Sequence, residues 1–236
     1  MASSSRVRVG VLAPMNSELR PVVKEFSLQR SEINGVAVHT GSVGNADIVA
    51  TSTGIGTALA TSATERLLGL GDFDRVIVVG IAGGVGPTVA IGDIVIPEVV
   101  YDGQGGTAYH PAPIDGPTPR GSIVTSDDFI VEPVRLEQLI ANGVIAVDME
   151  TGSVAAVCAQ RGIPWSAVRA ISDLAHEGDD EMLKMATPDG SPNGKAILRY
   201  FARHPARIPY MVKVGRGAMT AATRAARTAA AACAKL

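Results

Sequence analysis

Cysteine is scarce in this chain: Cys158 and Cys233 are the only two in 236 residues. Neither sits in a CxxC pair or at metal-ligand spacing from a histidine. That excludes a disulfide scaffold and fits a reducing, cytoplasmic compartment. Aromatic residues make up 4% of the chain, and charge of either sign is not in excess, with a net charge of -2. Binding to phosphate backbones needs a concentrated basic surface, so no nucleic-acid partner is expected. Apolar runs are broken by Gly and Asp well short of a membrane span, so no membrane role is expected. The opening "MASSSRVRVGVLAP" lacks a long apolar core, and no secretory signal is expected. His39, His110, His176 and His204 are scattered without HxH or HExxH spacing, so neither a metal nor another cofactor is expected. There is no GxxxxGK[ST] loop, no complete GxGxxG fingerprint and no GxSxG elbow.

What is present is 46% hydrophobic sequence arranged as alternating strands and helices. "RVRVGVLA" (Arg6 to Ala13) reads as a buried strand, and "NSELRPVVKEF" as a helix capped by Asn16 or Ser17. "GVAVHTGSVGNADIVATST" reads as two strands turning at Gly44-Asn45, and "GIGTALATSATERLL" as a helix after its glycines. "RVIVVGIAGG" is a second buried strand, and "GDIVIPEVVYDG" a strand interrupted by Pro97. Gly103 to Arg120 reads as a surface loop. "GSIVTSDDFI", "VIAVDM" and "PWSAVRAIS" are further strands, with helices "EPVRLEQLIANG" and "TGSVAAVCAQRG" between them, closed by Gly143 and Gly162. The pattern predicts one α/β domain over residues 1–236, with a largely parallel, mixed sheet. Residues 188–236 read as a helical extension packed on the outside of the domain or at a subunit contact.

Ligands of open α/β sheets bind beyond the carboxyl ends of the strands. The first strand leads to Met15 and Glu18, and Val76–Val79 leads to the turn Gly80 to Gly84, with Ala82 and Gly83 inside it. The others end at Asp127, Asp128, Phe129 and Ile130, at Met149 and Glu150, and at Ser172 and Asp173. Isolated carboxylates, methionines and an aromatic on one rim describe a small-molecule site. Each acid also has a plainer reading. Glu18 suits a first-turn helix acid, and Asp173 a turn cap. Asp148 and Glu150 share a strand face, so one is expected in the pocket and the other in structural hydrogen bonds.

The stretches "VGVLAPMNSEL", "STGIGTALA", "VVGIAGGVGPTVAIGDIVIPEVVYDG", "TSDDFI" and "VDMETGSVAAVCAQRGIPWSAVRAISD" resemble the purine nucleoside phosphorylase/nucleosidase superfamily. Within it they are most similar to methylthioadenosine/S-adenosylhomocysteine nucleosidases. The resemblance implies a three-layer sandwich around a mixed, mostly parallel sheet, a homodimer, and metal-free hydrolysis of a ribose–adenine bond in nucleoside metabolism and methionine salvage. Under it, Glu18 corresponds to the acid that activates water, Glu150 to the carboxylate gripping the ribose hydroxyls, and Asp173, supported by Ser172, to the acid serving purine N7. Phe129 and Ile130 correspond to the base-pocket wall and its backbone contacts, Met149 packs under the sugar, Met182 stands in the lid helix, and Tyr109 falls where an aromatic enters the neighbouring subunit's site. Met15, Ala82 and Gly83 on the same rim are further substrate-binding candidates. Asp173, rather than asparagine, implies a 6-aminopurine.

The chemistry is coherent without the resemblance. Breaking an N-glycosidic bond places negative charge on the departing base, which a protonated carboxyl with a raised pKa neutralises. A second carboxylate must orient water on the opposite face. Phosphorolysis is the alternative, but it requires cations beside the anomeric carbon. Val78 stands where phosphorylases of the superfamily carry arginine, and "GIGTA" lacks their serine. Ile81 replaces a small hydroxyl residue of the related nucleosidases. A non-catalytic nucleoside sensor is the third reading.

Overall fold

The structure is a computed structural model that describes residues 6–103, 106–128, 130, 132–175, 187, 195, 199–200, 203–204 and 208–236, without the side chains of 208–214. Its strands are β1 (Val7–Ala13), β2 (Gln29–Ile33), β3 (Val36–Val43), β4 (Ala46–Ser52), β5 (Arg75–Gly84), β6 (Ile94–Val95), β7 (Val99–Asp102), β8 (Ala108–Tyr109), β9 (Ser122–Thr125), β10 (Val144–Asp148) and β11 (Trp165–Leu174). The helices are α1 (Asn16–Glu25), α2 (Thr57–Leu68), α3 (Pro133–Ala141), α4 (Thr151–Arg161) and α5 (Ile208–Cys233).

One mixed sheet runs β2-β3-β4-β1-β5-β10-β9-β7-β8, with β11 beside β5 and β6 beside β11. Residues of β5 alternate between two packing faces, as a strand fully buried on both sides requires. Val76, Val78 and Ala82 pack with Leu67 of α2 and Val154 of α4, while Ile77 and Val79 pack with Val22 of α1 and Ala225 of α5. Helices therefore cover both faces, and the three-layer expectation holds.

The long strand β5 changes neighbours along its length. Arg75 to Val78 pair with β1, whereas Gly83 and Gly84 pair antiparallel with β10. Between those two ladders the edge from Val79 to Ala82 has no strand beside it on that side among the described residues. This is the switch point of the sheet, where open α/β folds take their ligands.

Several local expectations are corrected. Helix α1 begins at Asn16 with Met15, not Asn16 or Ser17, at its N-cap. The hairpin strand β2, absent from the sequence reading, pairs with β3 through Asn34 and Gly35, both at positive φ. Pro97 separates two strands with different partners rather than interrupting one, and Gly103–Arg120 contains β8. The C-terminal helix is not an outer attachment. Ala221, Ala225, Ala226 and Ala229 are fully buried in the core against α1, β5 and β11. Small side chains let this helix lie close to the sheet, which explains its composition.

Replacing Ala225 by Leu should overpack that contact and cost about 1–3 kcal/mol, read as a lower urea midpoint. The same change at exposed Ala231 should stay within about 0.5 kcal/mol.

Candidate active site

A cavity of about 300 Å³ opens at the switch point, within the range of small-ligand pockets. Met15, Glu18, Ala82, Gly83, Ile130, Met149, Glu150, Ser172 and Asp173 all line it, together with Ile81, Asp128, Asp148 and Ala218. These residues come from six separate parts of the chain. Tyr109 does not line it; its partly buried ring packs against the core beside β7. Phe129 and Met182 lie outside the described residues.

Glu18 is held by the edge that β1 leaves open. Its Oε1 accepts the Ile81 N–H at 2.8 Å and its Oε2 accepts the Met15 N–H at 2.9 Å. The same geometry gives Glu18 its first-turn helix role and places it at the cavity. Burial at 2% exposure raises its pKa to about 7, against the opposing pull of Arg169 and the two amides. Glu150, at the N-terminus of α4, accepts from Gly56 N–H at 3.2 Å and from Arg169 Nη2 at 3.2 Å. Burial pushes it up to about 8; Arg169 opposes the shift, and neighbouring Asp148 and Glu18 add to it.

Asp148 makes the structural hydrogen bonds expected of one of the two acids in "DME", but it lines the cavity as well as Glu150, so the expected division between them does not hold. Asp148 Oδ1 accepts from Thr125 Oγ1 at 2.7 Å and from the amides of Glu150 and Thr151 at 3.3 and 3.2 Å. Its Oδ2 accepts from the Thr151 hydroxyl and pairs with Arg169 Nη2 at 2.8 Å. The carboxylate thereby caps α4 and fixes the turn that presents Glu150.

Asp173 owes its direction to a β-bulge. Register shifts between Ile171, opposite Ala82, and Asp173, opposite Gly83, leaving Ser172 as the extra residue. Two consecutive side chains then reach the cavity, which a regular strand forbids. The Ser172 hydroxyl donates to Asp173 Oδ1 and lies 3.4 Å from the Ala82 carbonyl.

Arg169 is the residue the sequence reading missed. It is fully buried, bonds Glu150 and Thr151, pairs with Asp148, and places Nη1 4.0 Å from Glu18 Oε1. Nη1 has no protein hydrogen-bond partner among the described residues. The signal was available: an arginine inside the apolar run "WSAVRAIS" cannot be buried without acids to meet it. Gly80 makes room for the arrangement, since a Cβ there would overlap Glu18 Oε1 and come within 2.6 Å of Arg169 Nη1.

Removing the cation from this cluster leaves buried carboxylates uncompensated. Arg169→Met should cost about 3–5 kcal/mol near pH 8. The penalty should shrink toward pH 5 as Glu18 and Glu150 take up protons, which urea unfolding at the two pH values measures.

Comparison with known proteins places this geometry in a lineage. The sequence profile of the Phosphorylase superfamily matches residues 8–120 and 114–203. A 5'-methylthioadenosine/S-adenosylhomocysteine nucleosidase of Shewanella sp. (strain W3-18-1) is 30% identical over 201 residues, covering 72% of this chain and 87% of that protein. In fold, the chain superposes with a TM-score of 0.75 on the Streptococcus pyogenes S-adenosylhomocysteine nucleosidase in complex with 5-methylthiotubericidin, at 20% identity over 100% of this chain and 99% of that one. It superposes on the futalosine hydrolase of Helicobacter pylori strain 26695 with a TM-score of 0.73, at 19% identity over 99% of this chain and 100% of the other. With profile and sequence relative in agreement over most of its length, the chain belongs to the Phosphorylase superfamily.

Proposed function

We propose that this protein hydrolyses the N-glycosidic bond of 5'-modified adenosines, such as methylthioadenosine, S-adenosylhomocysteine and 5'-deoxyadenosine, to adenine and the ribose derivative. The observation that carries the reading is Glu18, a buried carboxylate that lines the cavity, is held by two backbone amides and has the Arg169 guanidinium 4.0 Å away. A water in the cavity that donates to Glu18 is oriented for attack on C1' and loses its proton to Glu18. The C1'–N9 bond breaks, and its electron pair leaves with the base. Asp173, steadied by Ser172, delivers a proton to N7 and neutralises that charge. Glu150 accepts from both ribose hydroxyls and Met149 packs beneath the sugar, while Ile130 and the Ala82-Gly83 turn border the base.

Glu150 is raised in the free protein, and hydroxyl donation favours its ionised form, so substrate binding releases a proton. Water rather than phosphate is favoured by the lining, which includes no Lys or Arg among the described residues. The reading extends to a cytoplasmic homodimer serving methionine salvage, with Tyr109 completing the partner's site. It is supported by the position of Tyr109 outside its own cavity and by two free, buried cysteines.

Adenine release from the three nucleosides should proceed equally in phosphate-free and phosphate buffers. Phosphate-dependent turnover to a ribose 1-phosphate would overturn the hydrolytic reading, and no release from any of them would overturn the substrate.

The raised pKa of Glu18 sets two further expectations. As a base it must be ionised, so kcat/KM should climb between pH 5 and 8. In the fold, a carboxyl raised from 4.5 to about 7 binds more protons folded than unfolded, so stability falls as pH rises through that window. The Glu18 share is up to about 3 kcal/mol. Glu18→Gln should lose activity and flatten that decline, checked by unfolding midpoints from pH 4.5 to 8.

A further inference from the structure

The motifs "GIGT" and "TSDD" meet in space, and the proposed chemistry leaves that meeting unexplained. Asp127 Oδ1 accepts the Thr57 backbone N–H at 2.8 Å, and Oδ2 accepts the Thr57 hydroxyl at 2.6 Å. These are the first donors of α2, where the helix dipole favours a carboxylate. One residue earlier, the Gly56 N–H is held by Glu150 Oε1. Two acids from distant loops therefore grip consecutive residues of one helix start. Gly56 permits this with φ 98°, a conformation that suits glycine, and a Cβ there would lie 3.1 Å from Asp127 Oδ1.

Asp127 leads directly into the base side of the cavity. Ser126 before it is tied to β10 by its N–H to the Asp148 carbonyl at 2.8 Å. Asp128 lines the cavity, and Ile130 is buried against Val85, Val124 and Ala175. Asp127 itself is exposed and does not line the cavity. It lies outside the chemistry and acts through the base-side residues next to it in the chain.

We propose that Asp127 and Thr57 are positioning residues: their paired hydrogen bonds dock the base-side segment onto the start of α2, the same turn that holds the ribose carboxylate Glu150. The base wall and the sugar grip then share one anchor, so a loosened dock weakens substrate binding while the reacting groups Glu18 and Asp173 stay in place. The assignment of base and sugar sides rests on the proposed function.

The test uses Asp127→Ala, Thr57→Ala, Thr57→Ser and the double alanine variant of the full chain, with two kinds of readout. The first is hydrogen exchange at the Thr57 amide, which needs no substrate. It should accelerate about tenfold or more in Asp127→Ala, as loss of one charge-assisted hydrogen bond implies. The second is steady-state kinetics on methylthioadenosine. Asp127→Ala should raise KM about tenfold with kcat within about twofold, Thr57→Ala should raise it less, and Thr57→Ser should match the parent. The double variant should be no worse than Asp127→Ala, because both side chains serve one contact. Unchanged Thr57 exchange in Asp127→Ala overturns the dock. So does a parallel fall in kcat and stability with KM unmoved, or additive losses in the double variant. Should the parent enzyme cleave none of the nucleosides, the proposed function fails while Thr57 exchange still decides whether the dock exists.

Discussion

One buried guanidinium organises the carboxyl end of this sheet. Arg169 meets Glu18 from α1, Asp148 from the end of β10 and Glu150 from the start of α4. Taking a charge out of water is costly, and a buried ion pair is weak grounds for stability in itself. What the cluster imposes is geometry. Arg169 cannot remain ionised in the core unless β11, β10, α4 and α1 all arrive at once. Gly80 must also leave the space they converge on. The groups proposed to activate water and hold the sugar are thus assembled by the same contacts that complete the fold.

The three acids around that cation are in unequal states. Asp148 is satisfied by two threonine hydroxyls and two amides as well as by Arg169, so it acts as a girder. Glu18 and Glu150 have fewer donors, and burial drives both upward toward neutrality while Arg169 resists. Their position near physiological pH comes from burial raising both, held back only by one cation divided among three anions. A second buried cation would leave Glu18 a weaker base; none would leave it a neutral acid.

Reading strand ends was enough to gather Glu18, Glu150, Ser172 and Asp173, because a ligand site beyond a sheet must be built from the residues where strands stop. The same rule concealed Arg169, which sits mid-strand where apolar side chains are expected. It also could not show how Ser172 and Asp173 both face the cavity, since that depends on a bulge with no local turn residue to mark it. Strand β2 was legible in principle: Asn34-Gly35 is a hairpin signal, but the exposed residues of Gln29–Ile33 lack apolar alternation. The alanines of α5 misled for the opposite reason. Small side chains suggest a surface helix by composition, yet they are what close packing on a sheet demands.

The choice between water and phosphate follows from where charge is already spent. Every charged side chain among the described residues lining the cavity is acidic: Glu18, Asp128, Asp148, Glu150 and Asp173. The buried cation behind them, Arg169, is shared among three of these acids. The backbone donors at Met15 and Ile81, which an anion would otherwise take, are already occupied by Glu18. A phosphate dianion entering this space would displace a carboxylate from its amides and face the others unshielded, at a desolvation cost no remaining group among the described residues offsets. A neutral water meets no such barrier. In the proposed reading, Glu18 is the site's internal anion, filling the place a mineral one would need and acting as the base.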